Sequence, residues 1–231
     1  MRIVVNHVTR MKSPRICVAG IDPETLEHVR PVTHRANPLT RALLRENGGP
    51  FGPGALVELG SVVPCPRVPE TEDRRFAPAR ATRTEDVSHE AYLELLGRVG
   101  HQDLATAFGP DLVEIRPRKM AVPAGRGTRS LAVLKAVNPR LEIKFDKLYL
   151  ELDDASFEVE LRVTDARFYE DDQVTVKRRV VSNVNVRLAR GGTIYAMLGL
   201  AHAIHDDDGG EVHWLQANGI CLADRAVSDT P

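Results

Sequence analysis

The chain has 231 residues, of which 42% are hydrophobic and 27% are charged. This composition is ordinary for globular domains and argues against disordered, collagen-like and disulfide-dense proteins. The formal net charge is −1, and no uncharged apolar run approaches the ~18 residues of a membrane span. The cysteines (Cys17, Cys65 and Cys221) form an odd, dispersed set that fits neither a disulfide framework nor a four-cysteine zinc site. We therefore expect a cytoplasmic protein with no signal peptide and no membrane partner.

Charge is distributed in blocks along the chain. Residues 1–45 hold eight basic and three acidic residues, residues 115–147 hold nine and two, and residues 175–190 hold five and none. The opposite excess lies in residues 148–174, with two basic and nine acidic residues, and in residues 191–231, with one and six. Folding could gather the basic blocks on one face, or mix the signs into an ordinary solvated surface, and the sequence leaves both open.

The first half is predicted to combine short strands with two helices. Runs rich in β-branched residues, bounded by turn residues, predict strands at residues 2–8, 15–21, 27–32 and 54–63. Asn37 and Pro38 are predicted to begin a short helix as its cap and first residue. Ser88 is predicted to cap a second helix, whose apolar side chains at 92, 95, 96 and 99 have helical spacing, and Gly100 ends it.

The second half has a clearer strand pattern. Its predicted strands are residues 131–137, 141–145, 148–152, 157–163, 194–200 and 212–222, of which 141–145 and 148–152 form one bent strand or a hairpin. Residues 174–188 have apolar residues at helical spacing, although their valines would also suit a strand, and we predict a helix. Residues 206–210 (Asp-Asp-Asp-Gly-Gly) predict a hairpin loop.

The order of these elements predicts the fold class. Three strands, a helix and two strands are the order of an OB-fold, a five-stranded, partly open barrel, and the first half has a looser version of it. We therefore predict a mainly β protein with short helices, built as two tandem OB-like barrels. Prolines and glycines between Pro117 and Gly127 predict a linker. We place the boundary there, with domains at residues 1–122 and 123–231.

Seven different stretches of sequence, spread over nearly the whole chain, are distinctive. They are Asn6-His7-Val8-Thr9-Arg10-Met11, Ile16-Cys17-Val18-Ala19-Gly20-Ile21-Asp22, His28-Val29-Arg30-Pro31-Val32, Gly48-Gly49-Pro50-Phe51, Leu161-Arg162-Val163-Thr164-Asp165-Ala166-Arg167, Leu198-Gly199-Leu200-Ala201 and His213-Trp214-Leu215-Gln216-Ala217-Asn218-Gly219-Ile220. Through them the chain resembles the bacterial dual OB domain family. The resemblance implies a tandem OB-fold, nucleic-acid binding and a setting in prokaryotic conflict systems. The family pattern has Thr-Arg where this chain has Ala201-His202, so no residue roles transfer.

Three basic sets are candidate phosphate contacts, since a polyanion needs cations on one surface. The first set is Lys177, Arg178, Arg179, Arg187 and Arg190. The second, in the predicted linker, is Arg116, Arg118, Lys119, Arg126 and Arg129. The third is Arg10, Lys12 and Arg15 around a turn, with Arg30 on a short strand. Each could instead be solvated surface, and the first set could face the acidic residues 148–174 across an internal interface.

Aromatic residues make up only 5% of the chain, which disfavours a sequence-neutral mode of single-strand binding by base stacking. Phe168 and Tyr169 follow a predicted strand and could be exposed for stacking. Trp214 lies inside a predicted strand, so we expect it to pack in the core.

Enzymatic chemistry has little support in the sequence. His202, His205 and Asp206 have the side chains of metal ligands, but a hairpin loop explains them as well, and we predict no metal. No phosphate-binding loop, nucleophile elbow or zinc-protease helix motif occurs.

The sequence thus predicts a non-catalytic nucleic-acid-binding module without cofactors, binding DNA or RNA. It would be accessory to a prokaryotic defence or nucleic-acid-processing system, where a protein partner could join it. The alternatives are a protein adaptor, a module for a small nucleotide-like ligand and, third, a metal-dependent hydrolase.

Overall fold

Two β-sheets, one from each half of the chain, dominate the computed structural model, which describes residues 1–34, 37–154, 157–206 and 209–223. The first sheet contains β1 (Arg2–Arg10), β2 (Ile16–Ile21), β3 (His28–Val32), β4 (Ala55–Glu58), β5 (Val63–Pro64), β6 (Asp73–Arg75) and β7 (Thr82–Asp86). The second contains β8 (Gly100–His101), β9 (Val113–Arg116), β10 (Lys119–Pro123), β11 (Leu131–Lys144), β12 (Lys147–Asp154), β13 (Phe157–Val163), β14 (Ile194–Leu200), β15 (Ile204–His205) and β16 (Glu211–Leu222). The protein is therefore mainly β, as predicted.

The second sheet closes into an OB-like barrel. β11 pairs with β12 and β14, β12 pairs with β13, and β14 pairs with β16. A short parallel pairing of β13 with β16 completes the ring. The helix α3 (Arg178–Leu188) lies between β13 and β14 in the chain, which is where an OB-fold places its helix. The predicted order of elements in this half is confirmed.

The first sheet repeats the same strand order. Its run β3-β2-β1-β4-β7 corresponds to β13-β12-β11-β14-β16 of the second sheet. Here, however, the free edge of β3 pairs in parallel with β6 instead of with the last strand. The result is a more open OB-like barrel, as its looser sequence pattern suggests.

Two helices lie between β7 and β9, and the first of them connects the two sheets. Ser88 begins α1 (His89–Val99), and its hydroxyl oxygen accepts a hydrogen bond from the Ala91 backbone N–H, as the sequence predicts. Tyr92, Leu95 and Leu96 of α1 pack in an apolar cluster that also takes residues from both sheets. Helix α2 (Leu104–Phe108), which was not predicted, packs on the second barrel. No helix in the described part of the chain has the length and hydrophobicity needed to span a bilayer.

The prediction of a linker between Pro117 and Gly127 is wrong for its first part. β9 and β10 form a hairpin there, and β10 extends the second sheet by pairing with β16. Pro117 lies in the hairpin turn and Pro123 is the last residue of β10, so neither interrupts the centre of a strand. The division into domains after residue 122 stays a prediction.

Other boundaries differ from the predictions by a few residues. Residues 131–144 form one long strand, with an irregularity in register between Val137 and Arg140 instead of a break. The predicted helix at residues 38–44 consists of two short 3-10 turns, Arg41–Leu43 and Arg45–Asn47. β15 and β16 pair on either side of the predicted hairpin loop, of which residues 207 and 208 lie outside the described residues.

Candidate nucleic-acid interface

The strongest concentration of positive charge lies where α3 begins. Lys177 precedes the helix, and Arg178 and Arg179 are its first residues. No side-chain oxygen caps this end, and the first turn contains no acidic residue. The amino-terminal end of a helix already carries partial positive charge from its unpaired N–H groups. Dipole and side chains therefore add to one positive potential at this end of α3, where Arg178 and Arg179 are exposed.

The position of α3 is fixed by its opposite face. Val181 and Val184, one turn apart, are buried in the core of the second barrel. The side-chain amide of Asn185 donates a hydrogen bond of 2.7 Å to the Leu141 carbonyl and accepts one of 2.9 Å from the Leu141 N–H. These bonds attach the helix to the backbone of β11, so the exposed cations stand on a rigid element.

The first barrel contributes cations near the loop that leads into α3. The guanidinium of Arg10, the last residue of β1, lies over the Tyr169 ring and donates to the Gln173 carbonyl at 2.5 Å. The Arg10 N–H donates to the Thr164 carbonyl at 2.8 Å. Arg10 therefore joins the end of β1 to the loop that leads into α3. The turn that follows β1 carries Lys12 and Arg15, both exposed.

A second contact between the barrels neutralises an acidic group in this region. Arg41, whose backbone N–H donates to the Pro14 carbonyl, forms an ion pair with Asp171 and also donates to the Asp171 carbonyl. The hydrogen bond from Arg41 lowers the pKa of Asp171. Asp172, in turn, accepts from the N–H groups of Val174 and Thr175 in its own loop. The structure thus brings the turn after β1 beside the loop that leads into α3, and the carboxylates of Asp171 and Asp172 in that loop are engaged. At the start of α3, Arg178 pairs with the exposed carboxylate of Asp146 at 3.0 Å.

The other end of α3 presents Arg187 and Arg190. They line a shallow depression of about 480 Å³ together with Gly191, Gly192 and Thr193. Because α3 has 11 residues, its two ends are separated by roughly 16 Å at 1.5 Å per residue. The predicted set from Lys177 to Arg190 therefore extends along one helix and is not a single cluster.

The predicted linker cations lie elsewhere, and several are held by carboxylates. Arg118 pairs with Glu151 at 3.1 Å and with Glu158 at 3.3 Å. Lys119 forms an ion pair with Glu160 and lies 4.4 Å from the centre of the Tyr149 ring. The outer face of β12 and β13 is therefore a network of ion pairs.

Glu151 shows how strongly this network is coupled. Its burial opposes ionisation, but hydrogen bonds from Lys144 and Arg140 outweigh burial and lower the pKa of Glu151 to about 2. The carboxylate is thus ionised at neutral pH, and the cations around it are occupied.

The remaining predicted linker cations contact other residues. Arg126 lies 3.8 Å from Asp111, and Arg129 lies 3.5 Å from the His101 ring nitrogen. The Arg116 guanidinium lies 5.3 Å from the centre of the Trp214 ring. The structure does not bring this set to the start of α3.

Arg30 is buried in the first half. Its Nε donates to Asp73 at 2.6 Å, and its Nη2 lies 3.5 Å from Glu70. With a side chain only 9% exposed, Arg30 has no surface to offer to a phosphate.

The side chains considered as metal ligands in the sequence contact different residues. His202 Nδ1 lies 2.9 Å from Glu70, His205 pairs with Glu211 at 3.7 Å, and Asp206 accepts from the Gly210 N–H at 2.8 Å. Within the described ranges, no three histidine, cysteine, aspartate or glutamate side chains are grouped as metal ligands.

The exposure of the aromatic residues differs from the prediction. Phe168 and Tyr169 are buried, because they pack in the core of the second barrel. Trp214 is half-buried against Arg116, whereas we expected it in the core. The exposed aromatic that sequence reasoning missed is Phe145, with 95% of its surface accessible. Its position between Lys144 and Asp146, at the point where two alternating strands meet, was a signal for a hairpin tip.

No protein-family model matches the sequence, and no curated protein matches it significantly. The solved structures that are similar to the chain as a whole include the following two. The crystal structure of the p204 HINb domain has 12% sequence identity and a TM-score of 0.36, and the match covers 94% of this chain and 95% of that one. A structure of a murine DNA binding protein bound with ds DNA has 9% identity and a TM-score of 0.32, with coverage of 98% and 97%.

Proposed function

We propose that the protein is a non-catalytic nucleic-acid-binding module whose phosphate contacts centre on Lys177, Arg178 and Arg179. The observation that carries this proposal is the start of α3, an uncapped helix end with consecutive cations and no acid in its first turn. Lys12 and Arg15 of the first barrel extend the same basic surface. We name these five residues the junction cations.

The cations at the amino-terminal end of α3 reduce the stability of the protein when no ligand is bound. A cation at the amino-terminal end of a helix costs about 0.3–1 kcal/mol, because it faces the positive end of the dipole. A local rule broken without a gain in packing is typical of a functional site. A phosphate group reverses the sign of the interaction, since it accepts from N–H groups and pairs with the cations. Release of counterions from the polyanion adds to affinity.

The proposal is narrower than the sequence prediction. Arg30, Arg118 and Lys119 are engaged by carboxylates with side chains at most 14% exposed. They act in stability, not in contact with the ligand. Arg178 also has an ion-pair partner, Asp146, but that carboxylate is 91% exposed, so a phosphate can compete with it. Arg187 and Arg190, at the far end of α3, would contact the same ligand as it continues along the helix.

The setting of the module is part of the proposal. The motifs shared with the dual OB domain family support an accessory role in a prokaryotic defence or nucleic-acid-processing system, in the cytoplasm and with protein partners. The ion pairs of Arg118 and Lys119 with the acidic stretch favour a second candidate, a module that binds a protein or a small nucleotide-like ligand. In that case the junction cations would contribute no affinity for oligonucleotides.

The test is a fluorescence-anisotropy titration of labelled oligonucleotides with the full chain. The variant Lys177→Gln/Arg178→Gln/Arg179→Gln is expected to bind at least 10-fold more weakly at low salt. A matched control, Arg98→Gln/Lys135→Gln/Lys147→Gln, removes the same charge from other exposed positions and should bind like the wild type. Equal losses in the two variants, or no binding by the wild type, would overturn the proposal.

A further inference from the structure

A groove runs between β11 and the exposed side of α3. Its volume is about 510 Å³. Apolar side chains form most of it, and Arg178 and Glu142 are its charged members. It therefore combines an apolar lining with one of the cations of the proposed phosphate site.

Phe145 projects from the hairpin that joins β11 to β12. The residues of this turn, Phe145 and Asp146, have φ angles of 49° and 57°. Two-residue hairpin turns of this kind favour asparagine, aspartate and glycine, because other residues adopt positive φ at a cost. The Phe145 ring is also 95% exposed, so it gains nothing from packing within the chain. Fold stability alone does not account for this residue.

An ion pair connects the hairpin tip to the helix. Asp146 lies 3.0 Å from the Arg178 guanidinium, and Arg178 lines the groove. Asp146, the ion-pair partner of Arg178, is therefore the residue directly after the exposed Phe145. A ring and a cation near each other suit a strand of unpaired nucleotides, since bases and phosphates alternate along it.

We propose that Phe145 is a base-stacking residue and that the groove between β11 and α3 holds a single strand of DNA or RNA. This inference rests on the proposed function and names its substrate class. A paired duplex keeps its base faces stacked on one another, so it offers no surface to the Phe145 ring. Arg187 and Arg190 line a separate depression at the other end of α3, so the stacking role does not depend on them.

The choice of groove departs from the general behaviour of the fold. OB-folds commonly bind oligonucleotides over their second and third strands, which are β12 and β13 here. In this chain, ion pairs of Glu151 and Glu160 with surrounding cations occupy that face. The exposed ring lies at the neighbouring edge, on the side of α3. The carboxylate partner of Arg178, Asp146, is exposed, so a phosphate can compete for the cation, and Glu142 is held by Lys144 at 3.2 Å. These charges favour a nucleic acid over an apolar peptide.

The test compares Phe145→Ala with Phe145→Tyr, using a single-stranded oligonucleotide and a blunt-ended duplex of two annealed strands of matched length. Loss of one stacked base is expected to weaken single-strand binding by about 10-fold or more. The tyrosine variant should retain affinity, because its ring also stacks. Duplex binding should change little in either variant. Since Phe145 is exposed, both variants should keep the wild-type melting temperature.

A second measurement detects the contact directly. The chain has one tryptophan, so Phe145→Trp adds a fluorophore at the hairpin tip. We expect unlabelled single strands to quench its emission, with little change in wild-type protein. Salt-dependent binding that Phe145→Ala leaves unchanged would overturn the stacking role while the phosphate site stands, and so would an equal loss for single strands and duplexes. Absence of salt-dependent binding in every variant would instead overturn the proposed function.

Discussion

The guanidinium carbon of Arg10 lies 4.0 Å from the centre of the Tyr169 ring, although the two residues belong to different barrels. The same side chain donates a hydrogen bond to the carbonyl of Gln173, 163 positions further along the chain. Arg10 therefore holds the turn after β1 against the loop before α3. Its role is to align two basic segments, and its own charge is largely covered.

Replacement of Arg10 by methionine is expected to destabilise the fold. The variant keeps an apolar stem but loses the cation–π contact and a charged hydrogen bond, together about 2 kcal/mol. Chemical denaturation measures the effect. The control is Arg15→Met, an exposed residue of the same turn, which should change the free energy of unfolding by less than about 0.5 kcal/mol. Similar losses in the two variants would contradict the role assigned to Arg10.

Arg179→Glu is expected to stabilise the protein and to weaken nucleic-acid binding. An acid in the first turn of α3 interacts favourably with the helix dipole where the arginine does not, which is worth about 1 kcal/mol. Thermal unfolding at low ionic strength should show a higher melting temperature, and oligonucleotide affinity should fall. A lower melting temperature would mean that the cation at this position has a structural partner.

Acid should destabilise the protein through His7. Burial, with the nearby His28, Arg30 and Arg167, lowers the pKa of His7 to about 3. The unfolded chain takes up a proton near pH 6.5 and the folded chain does not, so stability falls as the pH drops from 6.5 toward 3. The slope from one such group is at most about 1.4 kcal/mol per pH unit.

His7→Leu should flatten this acid dependence. Neither ring nitrogen of His7 has a hydrogen-bond partner among the described residues, so leucine breaks no hydrogen bond there. His28, whose pKa burial lowers to about 4, leaves a residual slope in the variant. Urea titrations from pH 4 to 7 measure how the free energy of unfolding depends on pH. An unchanged slope in His7→Leu would contradict the attribution of this dependence to His7.

The contact between His202 and Glu70 should stabilise the protein only within a window of pH. Its hydrogen bond raises the pKa of His202 and lowers that of Glu70. The histidine contribution is complete below pH 6.5 and is lost as pH rises through the raised value, and the glutamate contribution is lost in strong acid. His202→Ala should therefore lower the melting temperature at pH 6 and leave it unchanged at pH 9. His205→Ala, which removes an exposed histidine, is the control.

The order of strands and helices along the chain could be predicted from the sequence, because local residue patterns indicate where such elements form. The alternation in residues 157–163 predicted β13, and Ser88 predicted the start of α1. The β9–β10 hairpin was missed because Pro117 and Pro123 signal a break wherever they occur, and only the structure shows them at a turn and a strand end. Helix α3 begins four residues later than predicted, because Val176 forms a β-bridge with Tyr169 instead of joining the helix.

The candidate site was predictable in part. The cations at 177–179 stood out by charge, but the pairing of Lys119 with Glu160 joins residues 41 positions apart, and nothing in local sequence encodes it. The meeting of Arg10 with Tyr169 likewise depends on how the two barrels pack. Phe145 was assigned to a strand because its neighbours alternate, whereas it occupies the turn.

The most direct test of the central claim is the salt dependence of single-strand binding by the wild-type protein. If the junction cations contact phosphates, the logarithm of the binding constant falls linearly with the logarithm of salt concentration, with a slope of about −0.7 per contact. We predict a slope of about −2 or steeper, reduced in magnitude by roughly 1.4 in Lys177→Gln/Arg179→Gln. A binding constant independent of salt, or an identical slope in the variant, would contradict the account.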